Sequence, residues 1–175
     1  GSRDKTENIL NLLKAKYSFI EIINFTRNFG SHPAILAGLS KYDQKPSIVM
    51  SCDFQDPPTL INELIKKYIE NKKIVYAIRK KRNDPFLKNL FANLFYKFTR
   101  VIGVNYFPKN GNDGFGLYPP KVIKNYLKLV ETHRITSFLI SWLGFDYDYV
   151  FFDRPSRKAG YSKWGFFKRL NSAVD

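Results

Sequence analysis

The sequence predicts a single α/β domain over residues 1–175, built around a mostly parallel sheet. Two observations predict it. Short runs rich in β-branched and aromatic residues alternate with stretches of helical period, the order expected of βαβ units. The 175 residues, 44% hydrophobic and 25% charged, suffice for one core and are too few for two ordinary ones.

Thr6 to Lys16 carries Ile9, Leu10, Leu12 and Leu13 between polar positions, a helical pattern, and Phe19–Phe25 then reads as a strand. After the turn-like Arg27-Asn28-Phe29-Gly30, Ser31–Tyr42 has Ile35, Leu36 and Leu39 at helical spacing, with Ser31 as N-cap and Pro33 tolerated in the first turn. Ser47–Cys52 is a short apolar strand that runs into Asp53-Phe54-Gln55-Asp56-Pro57-Pro58. The two prolines open a helix reaching about Glu70. Ile74–Ile78 is the next strand.

From Pro85 to Ile102, Phe86, Leu87, Leu90, Phe91, Leu94, Phe95, Phe98, Val101 and Ile102 recur near the helical period. This long amphipathic helix either faces the core or lies on anionic lipid, flanked by Lys88, Lys97 and Arg100, and composition does not separate the two. Lys109–Gly116 reads as a glycine-rich loop, Pro120–Val130 and Ile135–Leu143 as helices, and Tyr147–Phe152 as a strand. The tail from Arg154 to Asp175 is basic and aromatic.

Composition narrows the chemistry. One cysteine, Cys52, makes no internal disulfide, and with two histidines it builds no Cys/His zinc site. Lys and Arg number 29 against 15 Asp and Glu, a formal charge of +14 that attracts nucleic acid, a phosphate-bearing metabolite or an anionic membrane surface. No uninterrupted apolar run reaches the ~18 residues of a membrane span.

Ligands of such sheets lie beyond the carboxyl ends of the strands, where Asp53, Gln55 and Asp56 fall. On an extended segment alternate residues face the same way, so Asp53 and Gln55 offer two oxygen ligands on one side to a hard cation such as Mg²⁺ or Mn²⁺, which often shares its shell with substrate phosphates. The same Asp-x-x-Asp-Pro-Pro run also suits an ordinary strand-to-helix turn in which Asp56 caps the helix. Arg79, Lys80, Lys81 and Arg82 follow one strand; Arg154, Arg157, Lys158 and Lys163 form a second cluster. Guanidinium forks match phosphate oxygens, while a solvated basic surface is the plainer reading of each cluster alone. Asp113, between glycines, is a candidate general base or a turn former. His32 reads as a helix-start residue, His133 as a helix-surface or partly buried one, and Cys52 as a small apolar packer.

Taken in order, Gly1-Ser2-Arg3-Asp4-Lys5-Thr6, Arg27-Asn28-Phe29-Gly30, Ala37-Gly38-Leu39, Asp53-Phe54-Gln55-Asp56-Pro57-Pro58, Val75-Tyr76-Ala77-Ile78-Arg79, Asn112-Asp113-Gly114-Phe115-Gly116, Trp142-Leu143-Gly144-Phe145 and the run Arg154–Trp164 resemble family 2 glycosyltransferases. Within the family they look most like the polyprenyl-phosphate (dolichyl- or undecaprenyl-phosphate) sugar transferases. The resemblance implies a GT-A fold, a Rossmann-like α/β sandwich that transfers a sugar from a nucleotide-sugar donor with a divalent cation, Mg²⁺ or Mn²⁺. It implies Asp53 and Gln55 as metal ligands and Asp113 as the acidic residue near the acceptor, a candidate catalytic base. Arg27, Asn28, Arg79, Arg82, Arg154, Arg157 and Lys163 match donor- and phosphate-binding positions. Ser51 stands where many relatives have a first aspartate, which leaves the ion more dependent on Asp53, Gln55 and the diphosphate.

The ends depart from the family pattern. Members usually begin with a strand, a helix and a second strand before Gly-Ser, and the membrane-linked ones continue into membrane helices after a segment like Asn171–Asp175. The expectation is therefore a fragment, lacking an N-terminal βαβ unit and inactive alone. The intact enzyme is expected at the cytoplasmic side of the cell membrane, with a nucleotide-sugar donor, a polyprenyl phosphate acceptor, the membrane surface as partner and no nucleic acid. The alternatives are a saccharide acceptor in cell-surface polymer assembly, or a non-catalytic membrane-surface domain of the same fold.

Overall fold

A computed structural model describes residues 2, 4–80, 114–131 and 135–153. The expected amphipathic helix over Pro85 to Ile102 and the basic tail from Arg154 lie outside the described residues.

The first helix, α1 (Thr6–Lys16), matches the predicted bounds. Asp4 Oδ1 accepts from the Thr6 N–H at 3.0 Å at its start. Glu7 in the first turn and Lys14 and Lys16 in the last oppose the helix dipole favourably. None of its residues is buried.

Phe19–Phe25 is not a strand. β-rich composition favours extended backbone, but a strand exists only through a hydrogen-bonded neighbour. No strand of the described sheet pairs with it, and Glu21 and Ile23 instead line a cavity of about 440 Å³ together with Ile48, Val49 and Met50. Glu21 also pairs with Lys41.

Helix α2 (Ser31–Lys41) begins one residue earlier than the predicted cap implied. Gly30, at φ 94°, takes the cap position in a conformation that costs glycine little, and Ser31 is already helical. Strand β1 (Ser47–Val49) is shorter than Ser47–Cys52. A 3₁₀ turn over Pro58–Leu60 leads into α3 (Ile61–Asn71), as the two prolines predicted. Strand β2 spans Ile74–Arg79, followed among the described residues by β3 (Gly116–Tyr118), α4 (Pro120–Leu127), α5 (Thr136–Trp142) and β4 (Tyr147–Phe152).

The sheet order is β1-β3-β2-β4. β3 runs antiparallel to both neighbours and β2 pairs parallel with β4, so β1, β2 and β4 point one way with β3 reversed between them. The sequence reading ended its glycine-rich loop at Gly116 and assigned no strand to Leu117 and Tyr118. The three residues of β3 are too few to show a period, and Gly116 reads as a loop former. The structure supplies a different reason for that glycine. Gly116 sits opposite Val49 on one side and Tyr76 on the other, and a Cβ there would fall 2.7 Å from the Val75 carbonyl oxygen.

Helices cover both faces. Ile74, Tyr76 and Ile78 of β2 point to one face and pack with Tyr118, Val122, Ile123, Tyr126, Leu139 and Ile140 beneath α2, α4 and α5. Val75 and Ala77 point to the other and pack with Leu64 of α3, Phe115, Leu117, Val150 and Phe152. This two-sided burial explains the unbroken apolar run of β2. Tyr76, 1% exposed, sets its hydroxyl 3.4 Å from Ser141 Oγ, and burial pushes its pKa up to about 12.

Candidate functional site

Because β1, β2 and β4 share a direction, their carboxyl ends lie along one edge of the sheet, and reversed β3 starts from that same edge. The edge therefore collects Ser51–Asp56 after β1, Arg79 at the end of β2, Asp153 after β4 and Gly114 before β3. Such an edge is where open α/β sheets bind ligands.

The loop after β1 is the best-defined part. It bends instead of continuing the strand, with Phe54 at φ 60°, so the alternation that would place Asp53 and Gln55 on one side of an extended segment does not apply. Asp53 is held differently: its Oδ1 accepts from the Gln55 N–H at 3.2 Å, and Ser51 Oγ lies 3.1 Å away. Asp56 does not cap the following helix. It is buried, and its Oδ2 accepts from both the Ser51 N–H at 2.7 Å and the Ser51 hydroxyl at 2.6 Å. A carboxylate closing a loop onto its own first residue satisfies the charge and fixes the turn together.

The neighbouring strand ends are also tied down. Tyr118 donates its hydroxyl to the Gly114 carbonyl at 2.9 Å, fixing the entry into β3, where Gly114 has φ 91°. Ala77 N–H donates to the Phe115 carbonyl at 3.0 Å. Arg79 is half-buried at the last rung of β2, opposite Phe152. The pairing continues one step further, as Lys80 N–H donates to the Phe152 carbonyl at 2.9 Å.

Arg27 and Asn28 act within their own loop. The Arg27 guanidinium lies 4.2 Å over the Phe29 ring, and Asn28 Oδ1 accepts from the Gly30 N–H at 2.9 Å. Both precede α2 and shape its start. Asp113, Arg82, Arg154, Arg157, Lys163 and His133 lie outside the described residues.

His32 proves to be more than a helix-start residue. Its Nδ1 accepts from the Thr136 N–H at 3.3 Å and lies 3.2 Å from Thr136 Oγ1, which in turn is 3.0 Å from the Tyr126 hydroxyl. Burial holds the imidazole pKa below its ordinary value. The network ties the starts of α2 and α5 together through α4.

The loop side chains that bond to one another, Ser51, Asp53 and Asp56, present only oxygens, the donors preferred by hard divalent cations, and Cys52 is the one sulfur beside them. Among the described residues no group of three or more His, Cys, Asp and Glu side chains converges on a metal position. Asp53 Oδ1 and the Ser51 hydroxyl are the two oxygens that the loop brings together beside its exposed side, so a cation here would take its remaining oxygens from other groups, its ligand or water. Sequence reasoning passed over Ser51 as a weak substitute and Asp56 as a cap. Nothing in their residue types or spacing marks the pair, and the bond from Ser51 to Asp56 becomes legible only once the turn closes.

Comparison with known proteins gives a consistent picture. The profile of the family described as Glycosyl transferase family 2 matches residues 1–127. A putative glycosyltransferase of Bacillus subtilis, CsbB, is 36% identical over 176 residues, covering 100% of this chain and 53% of its own. A bactoprenol glucosyl transferase of Shigella phage SfV is 35% identical, covering 100% of this chain and 57% of its own. A prophage bactoprenol glucosyl transferase homolog of Escherichia coli is 34% identical with the same coverage, 100% and 57%. The chain thus spans about half the length of the curated relatives it matches.

Proposed function

This chain belongs to glycosyl transferase family 2, and from that premise we propose that the protein transfers a sugar from a nucleotide-sugar donor to a polyprenyl phosphate, with a divalent cation, at the cytoplasmic face of the membrane. The observation that carries the acceptor is the end-to-end similarity to relatives named bactoprenol glucosyl transferase. The observation that supports the donor side is the oxygen-lined, bond-fixed loop Ser51–Asp56 at the carboxyl edge of the sheet.

In this reading Asp53 and Gln55, with Ser51 beside Asp53, would hold Mg²⁺ or Mn²⁺, which would neutralise the charge that develops on the leaving diphosphate. The protein's own groups do the rest. Asp53 is kept in place by the Gln55 N–H, so the loop need not reorganise when the donor arrives. Arg79 adds a positive charge on the same edge, and by the family pattern Arg82, Arg154, Arg157 and Lys163 are the residues that would bind the phosphates of donor and acceptor. Asp113 is by the family pattern the acidic residue that orients the acceptor; a phosphate acceptor is already anionic and needs little deprotonation.

The test is sugar transfer to polyprenyl phosphate by the intact protein in membranes. We expect lipid-linked sugar to form, and Asp53→Ala to reduce its formation at least a hundredfold, in the range of removing one main electrostatic stabiliser, about 10²–10³. Full activity of that variant overturns the metal role. Transfer to a soluble saccharide and none to the lipid overturns the acceptor.

A further inference from the structure

We infer that Asp56 is a positioning residue for the cation loop: it accepts the hydrogen bond of the Ser51 hydroxyl and so turns a Ser51 oxygen lone pair toward Asp53. The inference rests on the metal-assisted reading above and deepens it.

A serine hydroxyl carries one proton. Ser51 Oγ has two carboxylate neighbours, Asp56 Oδ2 at 2.6 Å and Asp53 Oδ1 at 3.1 Å. The shorter contact falls in the range of a charge-assisted O–H···O⁻ bond and holds the proton. Asp56 is kept on that side by a second bond, since the same Oδ2 accepts the Ser51 N–H at 2.7 Å. The side of Ser51 Oγ that faces Asp53 therefore presents a lone pair to another acceptor. A cation beside them would be held by both oxygens.

The spacing suits a hard ion. Oxygens on adjacent corners of an octahedral Mg²⁺ shell, each about 2.1 Å from the metal, are about 3.0 Å apart, and Ser51 Oγ and Asp53 Oδ1 are 3.1 Å apart. Asp56, at 5% exposure, is too enclosed to enter such a shell and works through Ser51. A serine in this place is then a ligand prepared by its neighbour, in the way outer-shell partners orient metal-bound groups.

The experiment is a double-mutant cycle on the intact protein, with Mn²⁺ alone as the probe and bound metal counted by loss of the free-ion paramagnetic resonance signal. Asp56→Asn is expected to weaken Mn²⁺ binding about tenfold when Ser51 is present, the usual scale for an outer-shell partner, and less than twofold in the Ser51→Ala background. Equal losses in both backgrounds, or none in either, overturn the inference, as does a wild-type protein that binds no Mn²⁺. If Asp56→Asn does not fold, exposed Ser51 carries the test: Ser51→Thr keeps the hydroxyl and should bind Mn²⁺ as the wild type does, and Ser51→Ala should not. Wild-type affinity in Ser51→Ala overturns the proposal. The readout is separate from catalysis, so coupled Mn²⁺ binding without sugar transfer would fail the functional reading alone, and transfer with uncoupled binding would fail this inference alone.

Discussion

Ser51 and Asp56 are joined twice, the backbone N–H and the hydroxyl of Ser51 both donating to Asp56 Oδ2, at 2.7 and 2.6 Å. Six residues, Ser51 to Asp56, are thereby closed into one turn after β1. This closure makes the loop a structural element as well as a candidate binding site.

Asp56→Ala should therefore lower stability. Hydrogen bonds to a charged group contribute about 1.5–3 kcal/mol each, and an exposed Ser51 recovers part of that from water. We expect a net loss of about 2 kcal/mol, read as a lower denaturant midpoint with an unchanged slope.

Gly116 tolerates no side chain. A methyl group would meet the backbone oxygen of Val75 at 2.7 Å, and neither strand can move without breaking the ladder on its other side. Gly116→Ala should cost about 1–3 kcal/mol, the range for overpacking a tight interior. Gly38→Ala, where a Cβ meets nothing within 4 Å, is the matched control and should be neutral or slightly stabilising in thermal melts.

The buried His32 gives stability a pH dependence of known sign. The folded state accepts a proton on this ring less readily than the unfolded chain does, because burial disfavours the imidazolium and Nδ1 is already accepting the Thr136 N–H. Its contribution is complete above the ordinary histidine pKa of about 6.5 and declines as pH falls through the lower folded value. His32→Asn, which keeps an acceptor without a proton to gain, should flatten the stability profile just below that pH. An identical slope in wild type and variant would remove His32 from the account.

Metal removal provides the functional check. Treating the intact protein with EDTA should abolish sugar transfer, and Mg²⁺ or Mn²⁺ should restore it. Zn²⁺, which prefers nitrogen and sulfur ligands, should restore it poorly. Full transfer after exhaustive chelation would dismiss the cation.

Much of the fold was legible in the sequence because helices and buried strands leave a period. Thr6–Lys16 and Tyr147–Phe152 were read to the residue, and the Pro57-Pro58 pair marked where a helix begins. Two failures have physical causes. Phe19–Phe25 has strand composition, but pairing is a property of two segments, and no strand of the described sheet pairs with it. Gly116–Tyr118 has strand pairing on both sides with only three residues to announce it. The site divided similarly. The oxygen-rich run after β1 was visible from residue types, whereas the role of Asp56 depends on a bond back across the turn to Ser51, which no spacing rule encodes.

The two-sided burial of β2 also governs how the molecule opens. Ile74, Tyr76 and Ile78 belong to one apolar cluster and Val75 and Ala77 to the other, on a strand hydrogen-bonded to β3 and β4. Neither helical layer can peel away without exposing half of that strand to water. The two clusters should therefore melt as one cooperative unit, with the amides of Val75 to Ile78 exchanging their hydrogens only when the whole domain unfolds.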